Sequence, residues 1–350
     1  MGAAGSGAAE VVGAGVVGVM GEAGGVSDAA RHPSLRADKL RADKLRLDKL
    51  HADKLRLDEL RRAVLVPGRL WSRLDVVQQT GSTNDDLLTA ARAGAAEGTV
   101  LVAEHQTRGR GRQGRQWESR TGSALIFSVL LRPAGVPPAD RGWLPLLTGV
   151  AVARALREVA GVDAGLKWPN DVLAGGAKLA GILAEQGGEA IVVGVGLNVA
   201  ATRDELPPPG PGALPPTSLA VLGGRTGRET LLAAILAELE DWYRRWTRPS
   251  PGAAGPGAAG PGAASPGAAS PGLASPRAAS PGDAESSGLR AEYLRCSVTV
   301  GRQVRVELPG GTALTGMATG IDPVGRLIMD TAAGPAAVSA GDVIHVRTPG

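Results

Sequence analysis

Arg108 to Trp117 reads RGRGRQGRQW, four arginines at 108, 110, 112 and 115 set among three glycines. A mobile loop of this kind folds over anionic oxygens and presents guanidinium forks to carboxylate and phosphate. Gly109, Gly111 and Gly114 also match G-x-G-x-x-G, the dinucleotide fingerprint. The segment that follows is strand-like rather than helical, and no acidic residue stands near position 129 to hold a ribose, so that reading is rejected. A solvated basic loop is the ordinary alternative for an Arg/Gly run. Trp117 argues against it, because a loop needs no indole unless the ring stacks or packs.

KWPND (167–171) is a second unusual cluster. Pro169 fixes the backbone and Asn170-Asp171 are turn formers, so a plain β-turn is one reading. The functional reading is a cation at Lys167, with Asn170 and Asp171 facing a nucleotide or its Mg²⁺. Lys178 opens the strand-like AKLAGILAE, either snorkelling at a strand end or held as a fixed positive charge. GSTN (81–84) precedes a helix, and Thr83 with Asp86 forms T-x-x-D, which makes Thr83 the expected N-cap. Ser82 and Asn84 then remain free to bond a ligand. GVGLNV (194–199) is either a core strand of small residues or a strand whose glycines admit a ligand, with Asn198 supplying an amide. There is no visible Ser/His/Asp or Cys/His arrangement for covalent catalysis. The single Cys296 and four scattered histidines form no legible zinc site.

The elements that must position these residues follow from periodicity and turn chemistry. DVVQQT (75–80), TVLVAEHQ (99–106) and SALIFSVLLRP (123–133) read as strands, the last closed by its proline. DDLLTAARAGAAEG, stopped by Gly98, reads as a helix, as do 144–161, with a stop glycine, and 229–247. Residues 172–199 read as a meander with turns at GG and GGE. From Val298 to Val346 short strands (VTVG, QVRVELPGG, TALTGMATGID, RLIMD, DVIHV) alternate with glycine turns and predict a small β-barrel.

Two low-complexity segments flank this globular pattern. Residues 1–30 are Gly/Ala/Val-rich, and Arg36 to Leu60 repeats a pentad, RADKL and its variants. A five-residue step turns each leucine about 140° from the last, so no coiled-coil stripe forms and a solvated extension is expected. The net charge is +4, and residues 31–62 alone carry eleven Lys/Arg against six Asp/Glu. The remainder is near neutral, which makes the basic balance weak support for nucleic-acid binding. Residues 249–287 repeat PGAAG and PGAAS, which forbids regular helix or sheet and predicts a flexible linker. VVGAGVVGVM (11–20) is too short to span a bilayer and lacks a basic start, so a membrane partner is not expected and the cytoplasm is.

Taken in order, GSTN, AEHQ-x-x-GRGRQGR-x-W, KWPND, KLAGIL-x-E and GVGLN resemble the biotin–protein ligases, from about Val76 to Val199, with a looser likeness in the C-terminal segment. The resemblance implies an α+β catalytic domain related to class II aminoacyl-tRNA synthetases and a C-terminal SH3-like barrel. It implies a monofunctional bacterial type without helix-turn-helix. The implied division is an extension (1–62), a catalytic domain (63–248), a linker (249–287) and the SH3-like domain (288–350). It also implies the reaction: biotin and ATP, as its Mg²⁺ complex, give biotinyl-5′-AMP, and a lysine of the biotin carboxyl carrier domain of an acyl-CoA carboxylase then accepts the biotin. No prosthetic group and no DNA partner are expected.

By motif, Ser82, Thr83, Asn84 and Gln106 would contact biotin. Arg110, Gly111 and Arg112 would close over biotin and the adenylate, and Lys178 would hold the reacting carboxylate and phosphate. Trp117, Lys167, Asn170, Asp171 and Asn198 would serve the nucleotide side, with any Mg²⁺ near Asp171. His105 stands where an aromatic is common. The competing readings are lipoate attachment, a biotin-responsive repressor and a binding module without catalysis.

Overall fold

The centre of the molecule is a seven-stranded sheet built from β1 (Arg73–Val77), β2 (Thr99–Ala103), β3 (Ala124–Leu131), β4 (Gly165–Lys167), β5 (Asp171–Ala174), β6 (Ala177–Gly187) and β7 (Ala190–Asn198). A computed structural model describes residues 57–209, 213–224, 226–248 and 280–346. The strand order is β1-β2-β3-β7-β6-β5-β4. Only β1 and β2 run parallel, joined through helix α2 (Thr83–Arg92); the other neighbours are antiparallel. The meander expected over 172–199 is present as β5, β6 and β7.

Alternation along the central strands divides the sheet into two faces. Leu125, Phe127, Val129 and Leu131 of β3, with Val193, Val195 and Leu197 of β7, join the main core. Helices α3 (Trp143–Ala160) and α4 (Arg228–Thr247) cover that face and pack on each other. Helix α3 stops where Gly161 takes φ +65°, a left-handed C-cap that only glycine adopts cheaply. On the opposite face α2 covers one end only, through Leu87, Leu88 and Ala91 against Leu101, Leu130 and Val192. The rest of that face is left for the site.

A short helix, α5 (Leu289–Cys296), leads into a second, five-stranded antiparallel sheet of β8 (Gln303–Glu307), β9 (Ala313–Ile321), β10 (Leu327–Thr331), β11 (Gly334–Val338) and β12 (Asp342–His345), ordered β11-β10-β9-β8-β12. The fold is α+β. VTVG, read as a strand, forms a turn instead, and GPAAV forms the unanticipated edge strand β11, where Pro335 is tolerated. The two sheets share one core, since Val304, Val306, Ile321 and Met329 cluster with the residues of the large sheet. Trp143 Nε1 donates to Pro323 O at 2.8 Å and Trp168 Nε1 to Gly325 O at 3.1 Å across the same boundary.

Three expectations are corrected. The last pentad does not stand in solvent: α1 (Leu57–Val64) buries Leu60 and Val64 against α4. The linker expected to 287 is already packed from Ser280, because Trp246 Nε1 donates to Gly282 O at 2.7 Å and Ala284 is fully buried. The N-cap of α2 is Ser82 rather than Thr83, whose hydroxyl is drawn away to other partners. The Gly/Ala-rich start, most of the pentad repeat, the expected absence of a helix-turn-helix and residues 249–279 fall outside the described residues. No helix among the described residues is long and apolar enough to cross a membrane.

Candidate active site

The open face of the large sheet owes its shape to two glycines of β7. A Cβ on Gly194 would lie 2.3 Å from Asn84 Oδ1, and one on Gly196 would lie 2.4 Å from Trp117 Cε2. Neither position admits a side chain, so Asn84 and the Trp117 indole rest directly on the backbone. Gly181, opposite Gly196 on β6, extends the floor under Trp117 and Lys178. What the glycines read as a possible ligand floor admit are side chains of the chain itself, Asn84 at Gly194 and Trp117 at Gly196.

At one end of this floor lies a buried polar cluster. Ser82 and Thr83 stand at the start of α2, and Gln106 follows β2, which the parallel β1–β2 pairing brings alongside. Gln106 Oε1 accepts from the Thr83 amide at 2.8 Å and from its hydroxyl at 2.9 Å. Ser128, fully buried on β3, has its hydroxyl 2.6 Å from Asn84 Oδ1 and 2.7 Å from Thr83 Oγ1. The Asn84 amide donates to Leu183 O at 3.1 Å and Glu185 Oε2 at 2.8 Å, which fixes its oxygen toward Ser128. Two hydroxyl protons therefore serve three oxygen–oxygen contacts. The cluster is rich in acceptor oxygens, whose remaining lone pairs suit a ligand N–H.

The other end is charged. Lys178 Nζ is 2.6 Å from Asp171 Oδ1, and Lys167 Nζ is 3.6 Å from Asp171 Oδ2. Burial holds the Lys167 ammonium below the usual lysine range, with Asp171 opposing that shift. Asn170 Oδ1 accepts from Arg112 Nη1 at 3.5 Å, and its amide donates to Ile182 O at 2.8 Å. Burial likewise lowers the Arg112 guanidinium, against the pull of Asp342 and Asp171.

Between the ends runs the arginine loop. Gly111 N donates to Arg115 O at 2.7 Å, and Trp117 N to Gly109 O at 2.9 Å, so the loop is folded back on itself. Arg110 pairs with Asp85 and, at 3.0 Å, with Glu185. Trp117 Nε1 is buried with no hydrogen-bond partner among the described residues, as is His105 Nδ1. An unpaired buried indole N–H beside a cavity is a donor that water or a ligand can meet.

One cavity is lined by Ser82, Thr83, Asn84 and Gln106, by Arg110, Gly111, Arg112 and Trp117, and by Asn170, Asp171 and Lys178. Arg112 and Lys178, from separate stretches of the chain, thus share it. Lys167 and Asn198 do not line it. Lys167 stands behind Asp171, and Asn198 donates to Thr217 O at 2.9 Å, stapling the segment whose Pro215 O and Thr217 N bond the backbone of Lys178. Sequence reasoning missed Arg115 and Gln116, which also line the cavity, and Ser128 and Glu185, which orient Asn84. Arg115 lay in the loop and carried a signal; Ser128 lay inside a strand and carried none. Among the described residues no group of three His, Cys, Asp or Glu is placed to hold a metal ion.

Residues 76–199 match the family model described as Biotin/lipoate A/B protein ligase family, and residues 299–346 match that described as Biotin protein ligase C terminal domain. The chain is 41% identical over 292 residues to a biotin–[acetyl-CoA-carboxylase] ligase of Mycobacterium tuberculosis, covering 82% of this chain and 94% of that protein. A second ligase of that name, from Paracoccus denitrificans, is 36% identical over 178 residues, covering 49% of this chain and 71% of that protein. The fold resembles a solved biotin protein ligase of Aquifex aeolicus in complex with biotin and ATP, with TM-score 0.59 and 24% identity, covering 79% of this chain and all of that one. Because a relative this similar aligns along most of both chains, and the two matched segments coincide with the sheet that bears the cavity and the sheet docked beside it, the chain belongs to the biotin protein ligases.

Proposed function

We propose that the chain activates biotin with ATP and transfers it to a lysine of the carrier domain of an acyl-CoA carboxylase. The observation that carries this reading is the shared cavity: a cluster of acceptor oxygens at one end, and Arg112 with Lys178 at the other. A cyclic urea offers N–H donors to the first. The acid's carboxylate then points toward the second.

The chemistry suits these groups. A carboxylate oxygen attacks the α-phosphorus of ATP, and the bond from that phosphorus to the pyrophosphate oxygen breaks. Two anions must approach. At an effective dielectric near 20 and about 4 Å, each charge pair repels by about 4 kcal/mol. Arg112 and Lys178 offset this, with Arg110 released from Asp85 and Glu185 as a further cation. The acceptor lysine's amine then attacks the acyl carbon, the bond to AMP breaks, and the ammonium proton leaves to solvent. The folded arginine loop shields the mixed anhydride from water between the steps.

ATP enters as its magnesium complex. Asp171 would be the carboxylate facing that complex, and its two oxygens meet Lys178 and Lys167. Magnesium therefore arrives with the triphosphate rather than from a prebuilt protein cluster. Trp117, Asn170 and Asp171 serve the nucleotide, while Lys167 and Asn198 act from behind by holding Asp171 and the segment beside Lys178. The carrier protein is the macromolecular partner, met in the cytoplasm. DNA is not a partner, and a gel shift at physiological salt checks this.

The deciding experiment is transfer of labelled biotin to a carrier domain with and without ATP, together with pyrophosphate detection. Label on the carrier only with ATP is the expected result. Binding of biotin without pyrophosphate release would reduce the protein to a binding module, and preference for lipoate would change the substrate.

A further inference from the structure

The arginine loop touches the small sheet at two points. Arg115 pairs with the carboxylate of Asp342, and Arg112 Nη1 donates to the carbonyl of Gly341 at 3.3 Å. Both acceptors stand where β12 begins, and β12 is paired along its length to β8. Gly341 is seated tightly there, since a Cβ would meet Val306 Cγ1 at 2.5 Å. The anchor is therefore part of a paired strand, whereas the loop is held only by its own turn and these contacts.

The two contacts act on one piece of chain. Arg115 N donates to Arg112 O at 3.2 Å and Gly111 N to Arg115 O at 2.7 Å, so a restraint on Arg115 is also a restraint on Arg112. The Asp342 side chain is 20% exposed against 53% for Arg115, so the acid is the more enclosed partner and the arginine reaches it from the solvent side. Nothing in the core of either sheet depends on this pair.

We infer that Asp342 is a positioning residue for the reaction: together with the Gly341 carbonyl it holds the arginine turn down over the cavity, so that the small sheet sets how long the loop stays closed. The inference rests on the adenylate-forming reading above. It gives the second sheet a role in retaining the intermediate.

The test uses the full chain and follows escape of the acyl-adenylate, by trapping it in solution and by labelling of free lysine. Asp342→Asn keeps the shape and removes the charge. For a half-exposed ion pair, escape is expected to rise about threefold. Arg115→Ala is expected to match it, the double variant to add nothing further, and Asp342→Glu to restore most of the retention. The wild type should also leak more as salt rises, whereas Asp342→Asn should not. A merely structural role would move the melting temperature but neither the salt response nor the coupling to Arg115. Retention unchanged in Asp342→Asn, or additive effects of the two single variants, overturns the inference and leaves the ligase reading intact. A wild-type chain that forms no adenylate overturns both.

Discussion

Lys178 and Asp171 form an ion pair across neighbouring strands, with Nζ 2.6 Å from Oδ1. They are not register partners: Lys178 lies opposite Leu173 and Asp171 opposite Gly181, with the register shifted between Val172 and Leu173. Gly181 lies beside the pair, where a Cβ would stand in ordinary contact with the ammonium at 3.5 Å. Lys178→Ala is therefore expected to lower adenylate formation about a hundredfold, the scale of losing one preorganised charge at a reacting centre. The pair is partly exposed, so stability should fall by only about 1 kcal/mol or less. Pyrophosphate release and thermal melting separate the two effects. A stable variant that releases pyrophosphate at the normal rate would remove Lys178 from the mechanism.

Arg112→Gly should let the adenylate escape. The guanidinium bonds Asn170 Oδ1 at 3.5 Å and Gly341 O at 3.3 Å, which ties the loop to both sheets. Losing charged hydrogen bonds of this kind corresponds to about a tenfold faster escape. The readout is labelling of lysines on bystander proteins, and unchanged adenylate retention would refute the shielding role.

Gly196→Ala should damage the site by crowding alone. Its Cβ would lie 2.4 Å from the Trp117 indole, which must then leave the sheet. Crowding of this kind costs about 1–3 kcal/mol. The expected result is a raised KM for ATP with the KM for biotin changed less, since Trp117 lies beyond the cluster of Thr83, Asn84 and Ser128. Equal effects on both substrates would contradict that division.

Stability should fall between about pH 6.5 and pH 4 in part through His345, whose pKa burial pushes down to about 4, with Lys167 and Arg302 adding to the shift. The sign follows from proton binding. The unfolded state binds the proton first as pH drops, so acid favours unfolding across this window. Discounted for a half-buried group, the loss is about 1–2 kcal/mol. His345→Gln should flatten the melting-temperature profile there relative to the wild type. An unchanged slope would assign the acid sensitivity elsewhere.

Much of the site could be read before any fold was known, because its chemistry is concentrated in short runs. The loop of Arg110, Gly111 and Arg112, the pair Asn170-Asp171, and Lys178 each stood out by residue type within a few positions. The strands and long helices were likewise legible from period and stop signals, as with α3 and its Gly161. What escaped were residues whose role depends on a neighbour far along the chain. Ser128 is an unremarkable strand residue until β3 brings it under Asn84. Leu60 looked solvated in a pentad without a stripe, yet α4 covers it.

By itself, then, the sequence determined the kind of chemistry and the order of its parts, since charge type, glycine spacing and turn residues are local properties. Tertiary structure alone decided which cations share a cavity, that Lys167 backs Asp171 rather than lining it, and that the arginine loop leans on Asp342. Those outcomes come from strand register and sheet docking, where side chains from separate stretches, Arg115 and Asp342 from positions 227 residues apart, meet because the packing of the core leaves them no other place.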